Sequence, residues 1–222
     1  MGVHFWVDGP QQQRQPWANT VAYYPLTSTT TVNDQSWNNH NLTNSWASFW
    51  TYWNVSCVSL NWSSNYLLGN IWDISLYSHT INIWAYVKWE WIINMYGQWN
   101  PDHKWWAEVI QYYQSKFRYS YWYDDLDSTN TYSTNGWHNV CVQWDRTNNK
   151  QIIYVDWAAQ WDRTPTYTHT IWNTQNFTLW KNSVYSEAYF NWYISEYIIE
   201  NKIRTAQDIS DYYNLTKANY WL

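Results

Sequence analysis

The sequence predicts an all-β protein, a two-sheet antiparallel β-sandwich with one short helix near its C-terminus. Only 13% of the 222 residues are charged and 23% are aromatic, and Thr, Ser and Asn are abundant, which is typical of antiparallel sheets. The clearest strand signal lies in residues 136–156. There Val140, Val142 and Trp144 alternate with polar neighbours, as expected for a strand with one apolar face.

Strand-like segments follow one another along most of the chain, separated by polar turns. The first 19 residues are Gln-rich and show no hydrophobic period. Residues 1–19 are therefore predicted to form an arm or linker before a single domain at residues 20–222. The predicted strands lie within residues 20–32, 55–60, 66–68, 81–88, 108–114, 116–123, 139–144, 151–155, 164–170, 177–180 and 189–199.

Two elements have distinctive patterns. Both faces of residues 81–87 are apolar, with Trp84 and Tyr86 on one of them, which is typical of a strand in the middle of a packed layer. Residues 205–208 are similar to a helix capping box, and apolar residues follow at helical spacing as far as Tyr213. This segment is the short helix.

A family resemblance follows from several stretches. Residues 136–145, Gly-Trp-His-Asn-Val-Cys-Val-Gln-Trp-Asp, and residues 153–156, Ile-Tyr-Val-Asp, resemble a strand pair of the laminin-G-like, concanavalin-A-like jelly-roll domains. Shorter stretches agree with the family in the same order, at residues 22–26, 33–40, 81–88 and 189–213. The resemblance covers roughly residues 20–217 and implies a concanavalin-A-like jelly roll.

The resemblance implies a non-catalytic recognition or adhesion module that binds carbohydrate or a cell-surface glycan. Glycoside hydrolases of the same fold carry paired carboxylates in an E-x-D-x-x-E motif, which this sequence lacks; Glu196 and Glu200 are the nearest substitute. We therefore predict that the chain is not an enzyme. A structural subunit of a virion, phage appendage, surface layer or filament fits the composition equally well and stays an alternative.

Charge and hydropathy restrict the partners and the compartment. The net charge of −5 argues against nucleic acid, which requires clustered Lys and Arg. No apolar run approaches the roughly 20 residues that span a bilayer, and the N-terminus lacks a signal-peptide pattern. An extracellular, cell-surface or virion location is expected. The predicted arm could pack on a neighbouring subunit, which would give a homo-oligomer.

Candidate ligand-binding residues lie at the end of the strand at 116–123, where aromatic rings recur at every second position. Sugars stack their apolar face on such rings, while carboxylates accept hydrogen bonds from the hydroxyl groups. The predicted ligand-binding residues are Tyr121, Trp122, Tyr123, Asp124 and Asp125. The alternative is that the aromatic stripe packs in the core. Residues 124–127 are predicted to form an acidic loop.

A calcium site is predicted in the polar loop at residues 33–46. Asp34, Asn33 and Asn38 offer the hard oxygen ligands that Ca²⁺ prefers. Laminin-G-like domains often hold calcium at a loop rim, so the resemblance implies the same here. Hydrogen bonding within Asx turns explains these residues as well. Calcium is the one cofactor predicted.

The two cysteines lie in different strand-like runs. Cys57 belongs to the run at 55–58, and Cys141 to the run at 140–142. A disulfide requires neighbouring strands, whereas buried free thiols need no such proximity. The sequence leaves both alternatives open.

Tryptophan occurs where this fold expects glycine. The chain has 23 Trp and 5 Gly, although proteins average about 7% Gly. Trp37, Trp62, Trp157 and Trp192 follow Ser, Asn or Asp in turn-like places, where a positive φ is cheap for glycine and costly for a bulky residue. One hypothesis is that UGA codons meaning glycine have been rendered as tryptophan; a truly Trp-rich chain is the alternative. Further candidates are Trp46, Trp50, Trp53, Trp89, Trp91, Trp99 and Trp161, whereas Trp84 and Trp137 fit the family as tryptophan.

Overall fold

The computed structural model describes residues 18–26, 32–60, 65–72, 74–88, 93–99, 107–121, 124–166, 176–179 and 193–222. The strands in these ranges are β1 (Thr20–Tyr24), β2 (Thr43–Ser45), β3 (Ser48–Tyr52), β4 (Val55–Ser59), β5 (Tyr66–Asn70), β6 (His79–Val87), β7 (Ile93–Trp99), β8 (Ala107–Tyr113), β9 (Lys116–Tyr121), β10 (Asp124–Asp127), β11 (Gly136–Asp145), β12 (Lys150–Val155), β13 (Ala158–Arg163), β14 (Asn176–Leu179) and β15 (Tyr193–Glu200). One α-helix, α1 (Ala206–Thr216), and short 3₁₀ turns at Ile74–Leu76 and Lys217–Tyr220 complete the described structure.

The strands form two sheets that pack face to face. The larger sheet has the order β13-β12-β11-β6-β15-β4-β3, with β1 beside β15, and the smaller has the order β10-β9-β8-β7-β14-β5-β2. All pairings among the described strands are antiparallel. The predicted antiparallel β-sandwich with one short C-terminal helix is therefore confirmed.

The main core lies between the sheets. Ile81 and Ile83 of β6 belong to the same buried cluster as Phe117 and Tyr119 of β9, so residues of both sheets meet there. Apolar burial between two sheets is the dominant stabilising contribution in a sandwich of this kind.

The other face of the larger sheet is covered by α1 and the turn after it. Trp84 stacks on Tyr213 and Tyr220, with ring centroids 5.7 and 3.9 Å apart, and its indole N–H donates to the Thr216 hydroxyl at 3.2 Å. Trp84 and Tyr86 belong to this second cluster, so the prediction of two apolar faces for residues 81–87 is confirmed.

The predicted capping box begins α1. The backbone N–H of Asp208 donates to the Thr205 hydroxyl at 3.1 Å, and the Asp208 carboxylate accepts the Thr205 backbone N–H at 3.0 Å. The hydrogen bond from the Thr205 backbone, with that from its side chain, lowers the pKa of the Asp208 carboxyl.

The acidic segment 124–127 is a strand, and its prediction as a loop is wrong. It forms β10, which pairs with β9 so that Asp124 lies opposite Tyr121 and Asp127 opposite Arg118. Acidic residues are poor strand formers, but the arginines described below offset their charge. Pairing with β9, together with these ion pairs, has overridden the local preference.

Both cysteines are buried free thiols, which settles the alternative left open by the sequence. Cys57 lies in β4 and Cys141 in β11, with β15 and β6 between them. At about 4.8 Å per strand the two residues are roughly 14 Å apart, beyond the reach of about 7 Å for a disulfide. Burial raises the pKa of each thiol to about 12.

Some predictions fall outside the described residues: most of the arm at 1–19, the edge segment at 27–31 and most of the strand at 164–170. Among the helices of the described ranges, none has the length and apolar character needed to cross a membrane.

Candidate functional site

The inward face of β9 is part of the core. Phe117 and Tyr119 are fully buried, and Tyr121 is 2% exposed. The aromatic stripe predicted from the sequence therefore packs between the sheets, which was the alternative to sugar stacking. The Tyr121 ring is closed to a ligand in this arrangement. Trp122 and Tyr123 lie outside the described residues.

Asp124 joins the two sheets. It is 1% exposed, and its carboxylate accepts a hydrogen bond from Arg163 of β13 at 2.7 Å. A second guanidinium nitrogen of Arg163 donates to the carbonyl of Asp125 at 2.9 Å, and the amide of Gln151 donates to the carbonyl of Asp124 at 3.3 Å. β10 of the smaller sheet is thereby held to β12 and β13 of the larger one. Asp124, one of the predicted ligand residues, therefore holds the two sheets together at one edge of the sandwich.

Asp125 points to the surface and belongs to a polar group. Its carboxylate accepts hydrogen bonds from Arg118 at 2.8 Å and from the Ser120 hydroxyl at 2.5 Å. The same arginine forms a two-pronged ion pair with Asp127, at 2.6 and 3.0 Å, and lies 4.8 Å from the ring centroid of Tyr113. We call Tyr113, Arg118, Ser120, Asp125 and Asp127 the β9–β10 polar face.

The β9–β10 polar face is open to solvent. The side chains of Asp125 and Asp127 are 40% and 38% exposed, and that of Arg118 is 20% exposed. The hydrogen bond to Asp127, with the charges of both carboxylates, raises the pKa of Arg118, so the group holds a fixed cation between two anions. A planar donor beside carboxylate acceptors and an aromatic ring is chemically suited to hydroxyl-rich ligands.

Asp34, the predicted calcium ligand, has its carboxylate occupied by protein donors. One oxygen accepts the backbone N–H groups of Tyr23 at 2.9 Å and Ser36 at 2.8 Å. The other accepts the Ser36 hydroxyl at 2.7 Å and the backbone N–H of His40 at 3.0 Å. These contacts fold the loop at 34–40 onto β1, as expected for an Asx-type turn.

The other two predicted calcium ligands are arranged differently. The Asn38 amide donates to the backbone carbonyls of Thr20 at 2.9 Å and Val21 at 3.0 Å, while Asn33 is exposed. Across the described ranges, no three His, Cys, Asp or Glu residues are grouped to hold a metal ion. Calcium at this loop stays a prediction.

A buried polar cluster that sequence reasoning missed links the sheets near one end. Nε2 of His79 in β6 lies 2.6 Å from the carboxylate of Glu108 in β8, and the Tyr119 hydroxyl donates to the same oxygen at 2.6 Å. Nδ1 of the histidine lies 3.0 Å and 3.1 Å from the carbonyls of Ile74 and Tyr77. Glu108 is a charged residue in a largely apolar strand. This is the one feature of the local sequence that indicates the cluster.

The His79–Glu108 pair is sealed from solvent, with side chains 1% and 0% exposed. Burial by itself disfavours the charged imidazole, but the carboxylate of Glu108 and the two carbonyls outweigh it and raise the pKa of His79. No substrate reaches these groups without opening the sandwich, so we assign them to stability rather than to chemistry.

Glu196 and Glu200 do not form an open acidic pair. Both are buried on the larger sheet, and Glu200 is ion-paired with Arg204. A cavity beside this pair, under α1, has a volume of about 10 Å³ and is lined by Cys141 and Ile209 among others. This space holds about one water molecule and is too small for a sugar.

Sequence reasoning also missed a group of stacked tyrosines at one end of the larger sheet. Tyr52 stacks on Tyr193 with centroids 4.5 Å apart, and its hydroxyl donates to that of Tyr86 at 3.2 Å. Tyr52 and Tyr193 are half-buried, and Tyr86 packs edge-on against Trp137. These rings come from different strands, so no sequence window shows them together.

Comparison with known proteins identifies the fold. No protein-family model matches the sequence, and no curated protein matches it. Among solved structures, the botulinum neurotoxin serotype G binding domain superposes with a TM-score of 0.72 at 12% identity, over 90% of this chain and 52% of that chain. The binding domain of botulinum neurotoxin DC, in complex with rat synaptotagmin II, gives 0.70 at 12%, over 88% and 51%.

The binding domain of Paraclostridial Mosquitocidal Protein 1 gives a TM-score of 0.69 at 13% identity, over 88% of this chain and 52% of that chain. The chain thus spans about half the length of these structures. At this level of identity the likeness shows the fold alone: a β-sandwich that also occurs in toxin binding domains.

Proposed function

We propose that this chain is a non-catalytic recognition module of the laminin-G-like type whose ligand is a carbohydrate or a cell-surface glycan. The β-sandwich fold shared with toxin binding domains supports a binding role, as does the resemblance of residues 136–156 to laminin-G-like domains. An extracellular, cell-surface or virion location belongs to the same proposal.

The β9–β10 polar face carries this proposal. Arg118 is fixed between Asp125 and Asp127, so donors and acceptors are already oriented before a ligand arrives. The half-buried ring of Tyr113 beside them offers an apolar contact for a sugar face. Among the residues predicted to bind ligand, Asp125 belongs to this exposed face.

The test is a glycan array probed with the unsubstituted chain and with the double variant Asp125→Asn, Asp127→Asn. Hydrogen bonds to charged groups contribute about 1.5–3 kcal/mol each, so binding should weaken at least about tenfold. The control is Asp162→Asn, which breaks the exposed Lys150–Asp162 ion pair on the other sheet and should leave binding unchanged. Equal binding by the unsubstituted chain and the double variant would refute this site.

The same array, run with calcium and with a chelator, tests the predicted metal. Loss of binding with chelator, and in Asp34→Asn, would support calcium at the loop of Asp34. Unchanged binding with chelator would leave the β9–β10 polar face to act without metal. Absence of any glycan binding, together with a stable oligomer on size-exclusion chromatography, would favour the structural-subunit alternative.

A further inference from the structure

The tryptophans whose side-chain exposure the structure describes fall into two separate groups. Trp84, Trp137 and Trp144 lie in strands and are at most 3% exposed. The others are between 48% and 84% exposed, and they are Trp37, Trp46, Trp50, Trp53, Trp72, Trp157, Trp161 and Trp221. Tryptophan is highly buried on average in folded proteins. A group of this size on the surface is therefore unexpected for genuine tryptophan.

The backbone gives an independent observation. Left-handed φ angles occur at Trp37 (75°), Trp46 (64°), Trp53 (50°), Trp157 (69°) and Trp221 (63°), and all five side chains belong to the exposed group. In the described ranges no glycine has a positive φ. A bulky side chain clashes with the backbone in this conformation, whereas glycine adopts it at no steric cost. Tryptophan occupies the places that glycine normally fills.

The hairpin between β12 and β13 shows the substitution most clearly. Val155 pairs with Ala158, so the turn consists of Asp156 and Trp157, with φ angles of 49° and 69°. Two left-handed residues define a type I′ turn, for which Asp-Gly is among the strongest sequence preferences. The sequence-based prediction of a glycine-type turn at Trp157 is confirmed, as is that at Trp37; Trp62 and Trp192 lie outside the described residues.

The hairpin between β3 and β4 repeats the pattern. Tyr52 pairs with Val55, which leaves Trp53 and Asn54 as a two-residue turn with φ angles of 50° and 62°. Trp221 ends the 3₁₀ turn at Lys217–Tyr220 with its backbone N–H bonded to the Lys217 carbonyl, where a left-handed glycine is common. Sequence reasoning did not find this last position.

We propose that the natural chain carries glycine at positions 37, 46, 53, 157 and 221. In its source organism UGA codons are translated as glycine. The sequence shows tryptophan at these positions because the same codons have been translated with a code in which UGA means tryptophan. In the natural chain the exposed positions Trp50, Trp72 and Trp161 are glycine as well. The buried Trp84, Trp137 and Trp144 are encoded by UGG and are genuine tryptophans. The β9–β10 polar face contains none of these positions, so the two proposals stand or fall separately.

The codons and the natural protein test the proposal directly. We expect UGA codons at the exposed tryptophan positions and UGG codons at the buried ones. The same codon in both groups of positions would refute the proposal. Trypsin releases residues 151–163, which contain Trp157 and Trp161, and residues 119–146, which contain Trp137 and Trp144. Mass spectrometry of protein from its native source should find glycine in the first peptide and tryptophan at 137 and 144 in the second. Tryptophan at 157 would overturn the proposal.

Stability of the Trp-containing chain tests the backbone argument. Trp157→Gly and Trp53→Gly should each favour the folded state by about tenfold, because a left-handed non-glycine residue costs roughly that factor. The melting temperature should rise by roughly 3–6 °C per site. Trp50→Gly and Trp161→Gly are the matched controls: both residues are exposed but lie in strands, where glycine destabilises. Turn variants no more stable than these controls would refute the argument.

Discussion

Replacement of Glu108 by glutamine is expected to destabilise the sandwich by about 3–5 kcal/mol, because it removes one partner of a fully buried ion pair. Both neighbours of His79 Nδ1 are carbonyls, so this nitrogen must carry a hydrogen. A hydrogen on Nε2 as well, facing Glu108, makes the ring a cation. Glutamine keeps the shape of the side chain but leaves that cation without a counter-charge.

The magnitude is large enough to measure by heat and by denaturant. For a chain of this length each kcal/mol shifts the melting temperature by roughly 2–4 °C, so a loss of roughly 6–20 °C is expected. Tyr119→Phe removes one hydrogen bond to the charged Glu108 carboxylate and should cost about 1.5–3 kcal/mol, less than the loss of the charge itself. Asp162→Asn, which breaks an exposed ion pair, should cost less than about 1 kcal/mol.

The pH dependence gives a second readout. The folded-state pKa of His79 is raised, so the stability it contributes is complete below its unfolded pKa of about 6.5 and is lost as pH rises through the folded value. The gap in stability between the unsubstituted chain and Glu108→Gln should therefore be widest near about pH 6 and narrow at higher pH. A loss below about 1 kcal/mol, or a gap independent of pH, would refute the assignment of a charged His79–Glu108 pair.

Three further variants probe the fold by chemical denaturation. Arg163→Ala leaves the buried carboxylate of Asp124 without its cation and should cost about 1–3 kcal/mol; an unchanged midpoint would contradict the role of this pair in joining the sheets. Thr205→Ala removes the N-cap of α1 and should cost about 1 kcal/mol, whereas Thr205→Ser should not. Gly69→Ala should destabilise strongly, because the added Cβ overlaps the Phe177 ring; normal stability would show that this ring moves freely.

Local patterns were sufficient for much of the fold. The period of two in residues 140–144 and the two apolar faces of residues 81–87 predict strands that the structure confirms, because alternation is a property of the extended chain itself. The capping box at Thr205 involves residues three positions apart, so it is visible in the sequence. The left-handed turns at Trp37 and Trp157 were predictable for the same reason, since turn chemistry depends on adjacent residues.

The alternation of side chains along a strand does not determine which face of that strand is buried. Only the tertiary structure determines this. The sequence places Tyr119 and Tyr121 on one face of a strand, but only the packing of the second sheet determines that this face is buried. Asp124 meets Arg163 across 39 positions of sequence, and His79 meets Glu108 across 29. A periodic sequence determines which side chains share a face, whereas the pairing of distant strands determines which face meets the core and which charges neutralise each other.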